Sequence, residues 1–221
     1  MIADAGKKTI HRHIVVEGPI GVGKTSLARR LADTLGGELL LEQAEENPFL
    51  PRFYQNPRQS ALPTQLYFLF QRARQLQALR QQDMFSPVRI ADYLMDKDRL
   101  FAGLTLDEEE LKLYDQVYAS LTLDAPRPDL VVYLQAPVEV LLERIARRGI
   151  AYERGIAADY LKRLCDAYAR LFYYYQDSPL LIVNTSDIDP VTNDNDYTML
   201  VEQIMFIKSG RHYFNPISKA V

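Results

Sequence analysis

A single cysteine, Cys165, among 221 residues leaves the chain without an intramolecular disulfide. A disulfide-stapled secreted scaffold is excluded and a reducing cytosol fits. Lying between Leu164 and Tyr168 in a helical pattern, the thiol reads as a small packed side chain. Basic charge is not in excess either. Lys and Arg number 26 against 29 Asp and Glu, a formal net charge of −3, so there is no polybasic surface to hold a nucleic-acid polymer. No window approaches the ~18 consecutive apolar residues that cross a bilayer. The first 13 residues, broken by Asp4, Lys7 and Lys8, are expected to hold neither signal peptide nor membrane anchor. Internal repeats and low-complexity tracts are missing. What remains is a globular composition, 48% apolar and 25% charged, at a length suited to one domain with a real core.

Five short apolar runs punctuate the chain: Ile14 to Glu17, Leu39 to Glu42, Val88 to Ala91, Leu130 to Leu134 and Leu180 to Val183. Continuously apolar strands are buried on both faces, and these alternate with segments of helical period. The pattern predicts an α/β fold, a three-layer α/β/α sandwich with a central parallel five-stranded sheet. Leu27, Leu31 and Leu35 step by four and stop at Gly36-Gly37, while Pro137 and Gly149 mark a helix start and a helix end. Leu62, Leu66, Leu69, Ala73 and Leu76 form a helical seam, read as a core face or a dimer interface. Ser186 to Asp196 reads as a loop. The expected organisation is an N-terminal tail over 1–13, a nucleotide-handling domain over 14–207 and a C-terminal tail over 208–221.

Gly18-Pro19-Ile20-Gly21-Val22-Gly23-Lys24-Thr25 fits the eight-position phosphate-loop pattern in full, directly after a strand and directly before a helix. The glycines let backbone N–H groups converge on phosphate oxygens, and the helix that begins at Lys24-Thr25-Ser26 adds its unpaired donors. Lys24 is placed to reach the β and γ phosphates, and Thr25 to set its hydroxyl on Mg²⁺. A guanine-reading Asn-Lys-x-Asp stretch is absent. Its place holds Asn184-Thr185-Ser186-Asp187, which argues against a signalling GTPase.

Beyond the loop, Glu42, the run Glu46-Asn47-Pro48-Phe49-Leu50, Phe53-Tyr54-Gln55-Asn56-Pro57, Gln65 and Arg72 resemble the deoxynucleoside kinase family. Arg144-Ile145-Ala146-Arg147-Arg148-Gly149 with Glu153 continues the resemblance as a helical lid, so that it spans about Ile14 to Ile204. The Glu-Glu-Asn-Pro stretch is most similar to the bacterial deoxyadenosine and deoxyguanosine kinase branch. The resemblance implies an ATP- and Mg²⁺-dependent 5′-phosphorylation of a deoxynucleoside in nucleotide salvage, by a cytoplasmic homodimer. It also implies roles. Glu42, read as ending the second strand where an open sheet places its crevice, is the general base, with Glu17 as its rival. Tyr54 and Glu153 hold the sugar 3′-hydroxyl, Gln65 reads the base with Arg72 two turns on, and Arg144 and Arg148 meet the transferring phosphoryl group. Without the resemblance, Arg144, Arg147 and Arg148 read equally as a solvated basic face.

The chain departs from the family after its third strand. Where the family has an acidic-Arg-Ser motif, this sequence reads Ile90-Ala91-Asp92-Tyr93-Leu94-Met95-Asp96-Lys97-Asp98-Arg99. One alignment puts Ala91 at the acidic position; a one-residue slip makes Asp92 the Mg²⁺-side carboxylate, the choice taken here. The motif arginine is missing in both, leaving Arg89, Lys97 or Arg99 to replace its charge. The family's base-discriminating aspartate falls at Lys97 or Asp98, with Asp98 taken as substrate-binding. The second lid arginine is Ile150. Two other functions stay open. One is a monophosphate kinase of the thymidylate type, with Arg52, Arg58 or Arg72 on the acceptor phosphate. The other is a nucleotide-binding module that has lost its acceptor chemistry.

Overall fold

Strands form where β-branched and leucine side chains run continuously, and helices where apolar residues return every three or four positions. The computed structural model describes residues 11–80, 88–121 and 126–216. Its strands are β1 (His13–Glu17), β2 (Glu38–Leu40), β3 (Arg89–Ala91), β4 (Leu130–Gln135), β5 (Leu180–Asn184) and β6 (Arg211–Phe214). Its helices are α1 (Lys24–Leu35), α2 (Leu50–Gln55), α3 (Pro57–Arg80), α4 (Lys97–Thr105), α5 (Glu108–Leu121), α6 (Val138–Arg148), α7 (Ala158–Tyr174) and α8 (Asp194–Phe206), with short 3₁₀ turns at Ala44–Glu46 and Ala151–Gly155.

The sheet has the order β2-β3-β1-β4-β5-β6 and every pairing is parallel. It thus has six strands, not the five expected. The sixth lies inside the segment read as a C-terminal tail: Leu180 to Val183 pair with Arg211 to Phe214. An edge strand needs no two-sided apolar run, and Arg-His-Tyr-Phe, half in solvent, gives none. The N-terminal tail is also shorter than expected. His11 is buried and its Nε2 lies 3.1 Å from the Ile204 carbonyl oxygen; residues 1–10 lie outside the described residues.

β1 stands where the chain turns from one side of the sheet to the other, with β3 on one flank and β4 on the other. Such a switch point opens a crevice beyond the carboxyl ends of the strands. The core under it joins Ile14, Val15 and Val16 of β1 to Leu27, Ala28 and Leu31 of α1, and to Leu161, Leu164, Tyr168 and Phe172 of α7. Gly36 and Gly149 close α1 and α6 in the left-handed region, at φ 63° and 71°, as their positions predict.

The α3 seam turns inward. Leu69 is fully buried against Tyr114 and Ala102, and Leu62 and Leu66 pack on the same cluster. These side chains are therefore a core face shared with α4 and α5, and the dimer interface read from them is not available there. The Leu76 side chain lies outside the described residues.

Candidate active site

The phosphate loop leaves β1 at Glu17 and enters α1 at Lys24. Only glycine fits at two of its corners. At Gly18 (φ 149°) a Cβ would stand 2.5 Å from the Leu134 carbonyl oxygen, and at Gly21 (φ 85°) 2.9 Å from that of Leu141. Lys24 folds back over the loop, its Nζ donating to the carbonyls of Gly18 at 2.8 Å and Pro19 at 3.2 Å. Burial first, and the neighbouring Lys97 ammonium next, lower its pKa.

Two cavities meet at this loop. One, of about 370 Å³, is lined by the loop from Gly21 to Ser26, by Arg144, Arg147 and Arg148, and by Asp189 to Thr192 of the loop before α8. The other, of about 150 Å³, is lined by Glu42, Tyr54, Gln65, Arg72, Asp92, Lys97, Glu153 and Tyr160 among others. Gly21, Lys24, Thr25 and Arg148 border both.

Glu42 lies two residues past β2, in the loop and not on the strand end that the sequence indicated. Asp92 fixes it there: Oδ1 accepts the Glu42 N–H at 2.7 Å, while Oδ2 accepts the Thr25 hydroxyl. Two cations grip the Glu42 carboxylate. Arg72 donates to Oε1, and Lys97 donates to Oε2 at 2.6 Å. Burial pushes the Glu42 carboxyl up, but Arg72 and then Lys97 outweigh it and hold the pKa at about 2. The rival carboxylate is closed off from both cavities. Glu17 is fully buried and its oxygens already accept the Gly18 N–H at 2.8 Å, the Tyr168 hydroxyl at 2.9 Å and the Leu94 N–H at 2.7 Å. It ties the phosphate loop to α7 and to the loop after β3.

The other expected residues divide. Tyr54, stacked on Tyr152 with ring centroids 5.9 Å apart, and Glu153 face the smaller cavity, and burial drives the Tyr54 pKa well up. Gln65 is buried and its Nε2 donates to Thr105 Oγ1 at 3.3 Å. Asp98 does not line that cavity. It sits buried and pairs with the Arg72 guanidinium, which does line the cavity. Arg148 donates to Glu153 Oε2, with Nε at 3.0 Å. Arg144 borders the larger cavity and not the smaller, bonded to the Thr185 hydroxyl at 3.0 Å and its carbonyl at 2.9 Å.

Of the three cations that the sequence offered for the missing arginine, Arg89 lies 3.9 Å from Glu38 beside the sheet and Arg99 pairs with Asp115 at 3.0 Å on the surface. Lys97 alone reaches the site. Thr64, which the sequence reading did not single out, lines the smaller cavity with a buried hydroxyl that has no hydrogen-bond partner in the structure. Position gives both away only after folding: Lys97 opens α4 and Thr64 immediately precedes Gln65.

A family model described as deoxynucleoside kinase matches residues 14–208. A deoxyguanosine kinase of Bacillus subtilis is 36% identical over 199 residues, 86% of this chain and 95% of that protein. A deoxyadenosine kinase of Lactobacillus acidophilus is 31% identical over 209 residues, covering 86% and 94%. Among solved structures, a deoxyadenosine kinase from M. mycoides with bound dATP superposes with a TM-score of 0.76 over 88% of this chain and 99% of that one; at 23% identity it speaks for the fold.

Proposed function

Since the chain belongs to the deoxynucleoside kinase family, we propose that it transfers the γ-phosphoryl group of ATP to the 5′-hydroxyl of a purine deoxynucleoside, deoxyadenosine or deoxyguanosine, in nucleotide salvage. The observation that carries this reading is the meeting of the two cavities at Lys24, Thr25 and Arg148, with Glu42 on the acceptor side. The larger cavity takes the triphosphate, whose oxygens need the convergent backbone donors of the loop and α1. The smaller takes the nucleoside, with Gln65 and Arg72 along the base and Tyr54 and Glu153 at the 3′-hydroxyl.

Glu42 is the base in this reading. A carboxylate held ionised by two cations, yet lining the cavity, can accept the 5′-hydroxyl proton as the oxygen attacks phosphorus. Arg148 is placed to neutralise the equatorial oxygens at the junction, and Arg144 the donor's phosphates. Thr25 and Asp92, hydrogen-bonded to one another, are the donor set we assign to Mg²⁺, an ion that binds through few protein ligands and keeps several waters. Among the described residues no cluster of three or more His, Cys, Asp or Glu forms a metal site, and a phosphate-bound Mg²⁺ needs none. When bound, the ion would supply charge neutralisation to the triphosphate.

The arginines named for the monophosphate-kinase alternative are not available to an acceptor phosphate. Arg52 and Arg58 are exposed and line no part of the smaller cavity, and Arg72 is committed to Glu42 and Asp98. A cytoplasmic setting accords with the one half-buried thiol. Among the described residues no helix is long and apolar enough to cross a membrane. Release of ADP from ATP and Mg²⁺ with each of the four deoxynucleosides, their ribose counterparts and the matching monophosphates tests the reading. Selective turnover of a purine deoxynucleoside is expected; turnover of monophosphates alone overturns it.

A further inference from the structure

We propose that Lys97 is a catalytic residue of this transfer, anchored on Glu42 and offering its remaining N–H donors to the 5′-oxygen and the transferring phosphoryl group from the acceptor side. The inference rests on the kinase reading above and gives a defined role to one of the three cations that the sequence offered in place of the missing third-strand arginine. Lys97 is the first residue of α4, its side chain is 3% exposed, and it lines the smaller cavity beside Lys24 and Thr25. An ammonium carries three donors. Lys97 spends one, on Glu42 Oε2 at 2.6 Å. Its other carboxylate neighbour, Glu17 Oε2, is 4.0 Å away and already accepts the Leu94 N–H.

Arg72, the other cation on Glu42, differs in kind. It is held by two carboxylates, Glu42 and Asp98, and so is charge-balanced and fixed before any ligand arrives. Burying an ammonium with two donors unfilled is costly. In a cavity bordered by the phosphate loop the groups that would fill them are oxygens of the substrate.

The chemistry follows in one balanced step. The 5′-O–H bond breaks and its proton passes to the Glu42 carboxylate; the 5′-oxygen forms a bond to the γ-phosphorus; the bond from that phosphorus to the β-γ bridging oxygen breaks and its electron pair leaves with ADP. As Glu42 is neutralised, its hold on Lys97 weakens, and negative charge on the phosphoryl oxygens takes its place as the partner of the ammonium. Lys24 on the donor side and Lys97 on the acceptor side then flank the transferring group.

The test compares Lys97→Met and Lys97→Arg with the wild type in steady-state kinetics, ATP binding and thermal unfolding. Met should lower kcat by ~10²-fold or more with the KM for ATP within about threefold, and Arg should recover at least about tenfold of that loss. Should the Met variant fail to fold, Lys97→Gln, which keeps a donor to Glu42 without the charge, is expected to show the same loss of kcat. A folded Met or Gln variant within about threefold of wild-type kcat overturns the proposal, as does an Arg variant no faster than Met. A wild-type chain that turns over no deoxynucleoside overturns the kinase reading itself; an active wild type with an equally active Met variant overturns only the role of Lys97.

Discussion

At the scale of single residues, Glu42 shows how one carboxylate is prepared by neighbours distant in sequence. Its main chain is held by Asp92, its two oxygens by Arg72 and Lys97, and nothing adjacent to it contributes. Glu42→Gln should lower kcat by ~10² or more while ATP binding and the circular dichroism spectrum stay as in the wild type, because the amide keeps the shape and loses the base. Full activity in the variant would remove Glu42 from that role. The same carboxylate ties stability to pH. Its folded-state pKa of about 2 lies below the ordinary 4.5, so its stabilising contribution is complete above about pH 5 and is lost as pH falls through about 2. Urea unfolding at pH 6 and pH 3 should therefore show a steeper loss in the wild type than in Glu42→Gln. The side chains that sequence identified here, Lys24, Thr25, Tyr54, Gln65, Arg72 and Glu153, all face one or other cavity. Asp98, taken as substrate-binding, lines neither cavity, and Glu17, named only as the rival of Glu42, has its oxygens filled: a carboxylate is legible in the sequence, whereas its hydrogen-bond partners are not.

Elements divide into those whose pattern decides them alone and those that borrow from neighbours. Strands β1, β4 and β5 and helices α1, α6 and α7 are covered on two sides or cleanly amphipathic, and glycine or proline marks the ends of α1 and α6, so their sequences suffice. β6 borrows its order from β5 and lacks such a signature. The α3 stripe is the instructive case. A step of three and four says that a face is buried but not what buries it. The answer is α4 and α5 of the same chain, with Leu69 fully enclosed by Tyr114, Met95 and Ala102. Leu69→Ala should cost about 2–5 kcal/mol of unfolding free energy by leaving a cavity, measured by denaturant titration. A cost under ~0.5 kcal/mol would mean that the face is not closed within the chain.

For the whole molecule, the sheet order sets the chemistry. Placing β1 between β3 and β4 brings the phosphate loop, the Asp92 turn and the Glu42 loop to one crevice, though the bonded pair Thr25 and Asp92 are 67 positions apart. The homodimer expected from the sequence loses the α3 seam as its interface. Sedimentation at micromolar concentration tests it, a dimer mass supporting the expectation and a monomer mass ending it. Sequence by itself determined the layered α/β architecture and the phosphate loop, because both rest on local rules: two-sided burial makes continuous apolar strands, and close approach to phosphate demands glycine. It also determined the family, through motifs in order. Tertiary structure alone decided which of Glu17 and Glu42 lines the cavity, which of Arg89, Lys97 and Arg99 lies beside it, and what the α3 stripe packs on. Those are questions of which groups share a low-dielectric space, and proximity through the fold, unlike periodicity along the chain, is not written in any one segment.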